Sequence, residues 1–204
     1  MKVTSIILAG GKNLRLGRNK ALEPINGTSI IERVIIRLKP LSNHMLIVTS
    51  AEKVALPALN GVEVLSDIIP GYGPLGGIYT GLVDSDSQYN IVVACDMPFL
   101  NTELLRYMIK ISADYDAVVP ILDNGFVEPL HAIYSRNCIK SLKEQMNINE
   151  LKVHVLLSKI RVRYIKSEES KKLDPQHLSY FNINRQADLN QAISLAQDEQ
   201  ANKQ

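Results

Sequence analysis

The order of residues at the amino-terminus constrains the fold most. An apolar run from Val3 to Leu8 empties into Gly10 and Gly11, and Lys12, Arg15, Arg18 and Lys20 follow at once. Such a run is a buried strand, and adjacent glycines at its exit let backbone N–H groups turn toward a ligand with no Cβ in the way. With four cations on the same side, the loop is built for an anion, and a polyphosphate fits it. It is not a Walker A loop, because Gly11-Lys12 is followed by Asn13 rather than Ser or Thr.

The rest of the chain repeats that beginning. Apolar runs of strand length alternate with segments of helical period, the pattern of a doubly wound, mostly parallel α/β sheet with helices on both faces. Strands are predicted at 3–8, 44–49, 62–65, 91–95, 117–120, 127–134 and 162–166. A helix capped by Thr28 or Ser29 carries Ile30, Ile31, Val34, Ile35 and Leu38 on one face until Pro40. Further helices are predicted at 74–82, 102–111, 135–145, 149–156 and 187–196. A single domain over 1–197 with a fraying polar tail at 198–204 follows from that reading.

Charge narrows the function. Lys and Arg number 23 against 21 Asp and Glu, a net +2, too small for a broad nucleic-acid or membrane surface. Cys95 and Cys138 make no disulfide framework, and no Cys or His stands at zinc-ligand spacing, so a reducing cytoplasm is expected. No stretch reaches the roughly 18 to 20 apolar residues that cross a bilayer.

In open sheets of this kind ligands sit beyond the carboxyl ends of the strands, and three loops there carry chemistry. The first is the amino-terminal glycine turn. The second follows the central strand Ile91–Cys95, which ends in Asp96 of Cys95-Asp96-Met97-Pro98. A carboxylate there needs an offsetting partner, either a Mg²⁺ ion, which takes one or two carboxylates with phosphate oxygens and waters, or the N–H groups of the following turn. The third is Asp67 to Gly77, where Gly71, Gly73 and Gly76 match the dinucleotide fingerprint, with Asp96 at the spacing of its acidic residue. That fingerprint belongs directly after the first strand, which makes an NAD-dependent oxidoreductase the weaker alternative. Later, Glu128 and His131 on a strand entered through Pro129 either face a ligand or serve as a surface carboxylate and a core histidine. Asn182 and Asn184 share one side of an extended segment.

Together these segments resemble the molybdenum cofactor guanylyltransferases of the nucleotidyltransferase fold. The likeness rests on Leu8-Ala9-Gly10-Gly11 with Arg15, Gly17 and Lys20, on Asp67 before Gly73-Pro74-Leu75 and Gly77, on Cys95-Asp96-Met97-Pro98, on Glu128-Pro129-Leu130, and on Phe181-Asn182-Ile183-Asn184. It implies transfer of GMP from GTP to the phosphate of molybdopterin with release of pyrophosphate. The resemblance implies a nucleotide site of Leu8, Ala9, Gly10, Gly11, Lys20, Thr49, Asp67, Gly73 and Asp96, with Mg²⁺ on Asp96. It puts Arg15, Gly77, Asn182 and Asn184 on the molybdopterin side, gives Arg15, Lys20 and Asp96 catalytic roles, and leaves room for contacts with cofactor-delivering proteins. Two departures stand out. Thr49-Ser50 replaces an Asn common in relatives after the second strand, and Arg185-Gln186 replaces Thr-Pro. CTP, or another phosphorylated acceptor, is the alternative within the fold.

Overall fold

All six residues of β1, Val3–Leu8, are buried, as a strand covered on both faces must be. The computed structural model describes residues 2–10, 20–50 and 59–201. A small antiparallel hairpin follows, β2 (Pro24–Ile25) and β3 (Thr28–Ser29). Its turn is Asn26-Gly27, both at positive φ (50° and 81°), the sequence signal of a two-residue hairpin. Helix α1, Ile30–Leu38, opens on a capping box in which the Ser29 hydroxyl accepts from the Glu32 N–H and the Glu32 carboxylate accepts from the Ser29 N–H.

The chain then runs through β4 (His44–Thr49), β5 (Glu63–Ser66), α2 (Gly73–Asp84), β6 (Tyr89–Ala94), α3 (Thr102–Lys110), β7 (Ala117–Pro120), β8 (His131–Ser135), α4 (Cys138–Asn147), α5 (Val153–Leu157), β9 (Val162–Ile165), α6 (Ser167–Ser170) and α7 (Gln186–Ala201). The large sheet has the order β5-β4-β1-β6-β8-β7-β9. Every neighbouring pair is parallel except those made by β8, which runs antiparallel to β6 and β7. The expected mostly parallel, doubly wound sheet is what forms.

Side-chain alternation along the strands makes two cores. Ile7, Ile47, Val93 and Ile133 face α1 and α3 through Val34, Leu38, Leu104 and Met108. Ile6, Leu46, Val92 and Tyr134 face α2 and α4 through Ile78, Leu82, Cys138 and Leu142. A third cluster packs Ile183, Leu189 and Ala192 at the carboxyl end against Ile25 and Ile30. α2 lies unusually close to β1, because the Cβ of any larger residue at Gly81 would fall 2.4 Å from Ile6 Cγ2.

Several predicted bounds shift for local reasons. The strand expected at 127–134 starts only at His131, because Pro129 has no N–H to give and Glu128 turns its own toward the Pro120 carbonyl (3.0 Å). Val127 keeps one isolated bridge to Ile121. The helix expected from 149 starts at Val153, after Asn149 takes a left-handed φ of 56°. The helix expected at 135–145 begins at Cys138, since Ser135 completes β8. α7 continues five residues past Ala196, through the start of the segment read as a fraying tail.

Candidate active site

Hydrogen bonds carry the parallel register past the strand ends. The Ala9 N–H donates to the Val48 carbonyl (2.8 Å), Cys95 to Leu8 (3.1 Å) and Asp67 to Thr49 (2.8 Å). Loops after β1, β4, β5 and β6 therefore leave the sheet on one rim. At Gly10 an added Cβ would lie 3.4 Å from the Ser50 amide nitrogen, so Gly10 sits close beside the exit of β4.

Lys20 is the centre of this rim. It opens a short 3-10 turn, Lys20–Leu22, and is 7% exposed. A buried ammonium needs partners, and among the described residues Lys20 Nζ donates to Asp96 Oδ2 at 2.9 Å and Asn184 Oδ1 at 3.1 Å. The Asp96 carbonyl in turn accepts from the Ile183 N–H (3.1 Å), which fastens the carboxyl-terminal segment to the end of β6. The Asn184 and Arg185 N–H groups donate to Asp188 Oδ2 (2.7 and 2.8 Å), and these bonds hold the Asp188 carboxyl below its usual range. Asn184 thus joins Lys20 and Asp96, while the Asn182 amide donates to the Tyr180 carbonyl (3.3 Å).

The second Asp96 oxygen, Oδ1, is buried and has no hydrogen-bond partner. An orphaned carboxylate oxygen carries a desolvation cost of about 1–3 kcal/mol or more, and a hard divalent cation relieves it. Among the described residues no three His, Cys, Asp or Glu side chains gather as a closed metal cage. That donor set suits a cation that brings most of its ligands with it on phosphate and water. Cys95 is no nucleophile, since burial pushes its thiol up to about 12.

Asp67 is held rigidly on the same rim, at the exit of β5. Its Oδ1 accepts from the Ile69 N–H (3.0 Å) and the Thr80 hydroxyl (2.8 Å), and Thr80 Oγ also accepts from the Ile68 N–H (3.1 Å). Gly76 makes room for this, because a Cβ there would meet Asp67 Oδ2 at 2.9 Å. Gly77 lies against Leu8, with a Cβ 3.0 Å from Leu8 Cδ2. Gly73 starts α2 at φ +56°. The glycines at 71, 73 and 76 thus follow β5 rather than β1, so the dinucleotide fingerprint lacks its context. Thr49 is buried and gives its hydroxyl to the Leu65 carbonyl (3.2 Å).

On the other flank the Ala94 N–H donates to the Leu130 carbonyl (3.0 Å), which sets the turn bearing Glu128 against the loop bearing Asp96. Burial and the Asp96 charge push the half-buried Glu128 carboxyl up, against the opposing effect of the Leu130 N–H on its Oε1. His131 is fully buried with neither ring nitrogen partnered, edge-on to Tyr180 at 5.0 Å. Burial lowers its imidazole to about 4. It is a core histidine, not a ligand in reach of solvent.

Gly11 and Arg15, with Lys12 and Arg18, lie outside the described residues. Thr80 and Gly76 had no part in the sequence reading of the site. Gly76 appeared there only within a mistaken fingerprint, and Thr80 had no signal of its own.

The MobA-like NTP transferase domain family matches residues 5–161. The "Probable molybdenum cofactor guanylyltransferase" of Pelotomaculum thermopropionicum is 35% identical over 198 residues, 97% of this chain and 95% of that protein. The chain belongs to the MobA-like NTP transferase family. As a nucleotidyltransferase it is also 35% identical to the "Molybdenum cofactor guanylyltransferase" of Desulfosudis oleivorans over 193 residues, 93% of this chain and 94% of that one. The crystal structure of molybdopterin-guanine dinucleotide biosynthesis protein A from Archaeoglobus fulgidus matches this transferase with a TM-score of 0.81 at 28% identity, covering 96% and 99% of the two chains. A 2-C-methyl-D-erythritol 4-phosphate cytidylyltransferase from Thermus thermophilus shares the fold, with a TM-score of 0.71 at 17% identity and coverage of 97% and 100%.

Proposed function

We propose that this transferase joins GMP from GTP to the terminal phosphate of molybdopterin and releases pyrophosphate. One observation carries the reading: a buried ammonium and a carboxylate with one oxygen open share a rim with Gly10 at the exit of β1. Relatives named as molybdenum cofactor guanylyltransferases over nearly the full length supply the acceptor and the base.

In the reaction an acceptor phosphate oxygen attacks the α-phosphorus of GTP, and the bond from that phosphorus to the α–β bridging oxygen breaks. The attacking group has a second pKa of about 6, so at neutral pH it is already mostly a dianion and needs no general base. The buried His131 and the protonated Cys95 thiol are consistent with that. The barrier is electrostatic, since a dianion must approach a triphosphate. Lys20, fixed by Asp96 and Asn184, presents its charge without reorganising. On this reading the Gly10 and Gly11 amides and Asp67 serve the nucleotide, together with Leu8, Ala9, Thr49 and Gly73. Gly77, Arg15, Asn182 and Asn184 serve the acceptor on the same reading.

Asp96 Oδ1 would hold Mg²⁺. When bound, that ion screens the phosphates and draws charge toward the leaving pyrophosphate. No helix among the described residues is long and apolar enough to cross a membrane, and two buried free thiols fit a reducing cytoplasm.

The test is pyrophosphate release with GTP, CTP, ATP and UTP in turn, molybdopterin being the acceptor. GTP alone should support turnover, and a preference for CTP would move the chain to the cytidylyl reading. Asp96→Asn and Lys20→Ala should each lower GTP turnover about a hundredfold to a thousandfold, with folded structure retained by circular dichroism. Near-normal turnover in either would remove that residue from the mechanism.

A further inference from the structure

Lys20 and Asp96 cancel. Their ion pair at 2.9 Å leaves the centre of the rim with no net charge with which to attract a divalent cation, although it leaves Asp96 Oδ1 buried and unpartnered. A second protein carboxylate would restore negative charge beside the phosphate and water ligands that the cation brings, and the carboxylates on this rim differ in what they have left to give. Asp67 Oδ1 is engaged by Ile69 and Thr80. Asp188, which feels the Lys20 charge, has its Oδ2 engaged by Asn184 and Arg185.

Glu128 is different. The turn that bears it is bonded to the end of β6 through Ala94 and Leu130. The Leu130 N–H that Glu128 Oε1 accepts from (3.2 Å) belongs to the residue whose carbonyl takes the Ala94 N–H (3.0 Å), so the carboxyl group lies against the end of β6, two residues before Asp96. The two carboxyl groups feel each other's charge, and that repulsion, added to burial, raises the Glu128 carboxyl. Among the described residues Glu128 Oε1 takes the Leu130 N–H (3.2 Å) and Oε2 takes nothing.

We infer that Glu128 is the second protein carboxylate of the metal–nucleotide site, facing Asp96 Oδ1 across the cation with its free Oε2. The inference rests on the nucleotidyltransferase reading above. It turns the repulsion between the two carboxylates into joint ligation of one ion, and it gives the site the two-carboxylate, oxygen-rich set that small hard cations favour.

The experiment measures Mn²⁺ affinity, by the electron paramagnetic resonance of free Mn²⁺, for the full chain with an α,β-methylene analogue of GTP that cannot be cleaved. Wild type, Glu128→Gln, Glu128→Asp and Asp96→Asn are compared. Gln keeps the oxygen that accepts from Leu130, so the turn is preserved and only the charge is lost. Glu128→Gln should weaken Mn²⁺ about tenfold, Glu128→Asp should recover part of that, and the metal-free Tm of Glu128→Gln should equal or exceed wild type because the repulsion with Asp96 is gone. A purely structural Glu128 would instead lower the Tm and leave Mn²⁺ affinity unchanged. If Asp96→Asn loses Mn²⁺ while Glu128→Gln binds as wild type does, the role of Glu128 falls and the transferase reading stands. If wild type with the analogue binds no Mn²⁺, both fall.

Discussion

The Lys20 ammonium and the Asn184 amide oxygen meet at 3.1 Å although 164 positions separate them in the chain. With Asp96, Asn184 is one of two groups among the described residues that hold Lys20 in place. Asn184→Ala should lower turnover with GTP about tenfold through a misplaced ammonium, while thermal stability falls by only about 1–3 kcal/mol, the worth of a hydrogen bond to a charged group. Pyrophosphate release and a thermal melt read both. Unchanged turnover would show that Asp96 alone positions Lys20.

Thr80 and Asp67 are joined by a 2.8 Å hydroxyl bond that ties the loop after β5 to α2. Thr80→Val keeps the shape and removes the bond, leaving Asp67 with one donor fewer and the Ile68 N–H unanswered. GTP affinity should weaken about tenfold, with a stability loss of about 1–3 kcal/mol. Titration calorimetry with GTP separates the two, and an unaltered affinity would remove Asp67 from the nucleotide site.

Gly81 admits Ile6 into the surface of α2. Gly81→Ala should destabilise the protein by about 1–3 kcal/mol through overpacking, despite the better helix propensity of alanine. Because the clash is with three atoms of the Ile6 side chain at 2.4 to 3.0 Å, Ile6→Ala in the same chain should cancel most of that added cost. A double-mutant cycle in urea checks it, and strict additivity of the two changes would contradict the packing account.

His131 gives the fold a pH dependence of definite sign. Its imidazole titrates near 6.5 when unfolded and near 4 when folded, with burial the main cause. Above 6.5 neither state is protonated. As pH falls from 6.5 toward 4 the unfolded chain takes up a proton that the native one refuses, so stability is lost, by about 3 kcal/mol at full extent. His131→Phe should abolish that loss between pH 6.5 and 4. Urea midpoints for the two proteins across this window make the measurement, and parallel pH profiles would refute it.

The legible and illegible parts of the sequence divide by range. Ser29 as a cap, the parallel strands and the two-faced cores depend on local pattern, and each was readable from apolar spacing and a few punctuating residues. Lys20 and Asp96 were legible as members of two loops at one rim, since strand exits in a wound sheet converge. Pro129 lay inside the strand expected at 127–134, and nothing in the spacing showed that Glu128 bends away to meet Pro120, because that bond depends on β7 lying alongside. The Thr80–Asp67 bond and the Lys20–Asn184 bond left no trace in spacing. Each is a long-range side-chain contact made only once the elements have packed, and no period records it.

The bond from the Ile183 N–H to the Asp96 carbonyl has a consequence for biosynthesis. All seven strands of the large sheet are encoded before residue 166, so a nascent polypeptide can zip its scaffold together while the segment that locks the reaction centre is still inside the ribosomal tunnel. Competence arrives last. A copy short of Ile183 would lack the Asn184 amide that accepts from Lys20, so the reaction centre follows the sheet in the order of synthesis.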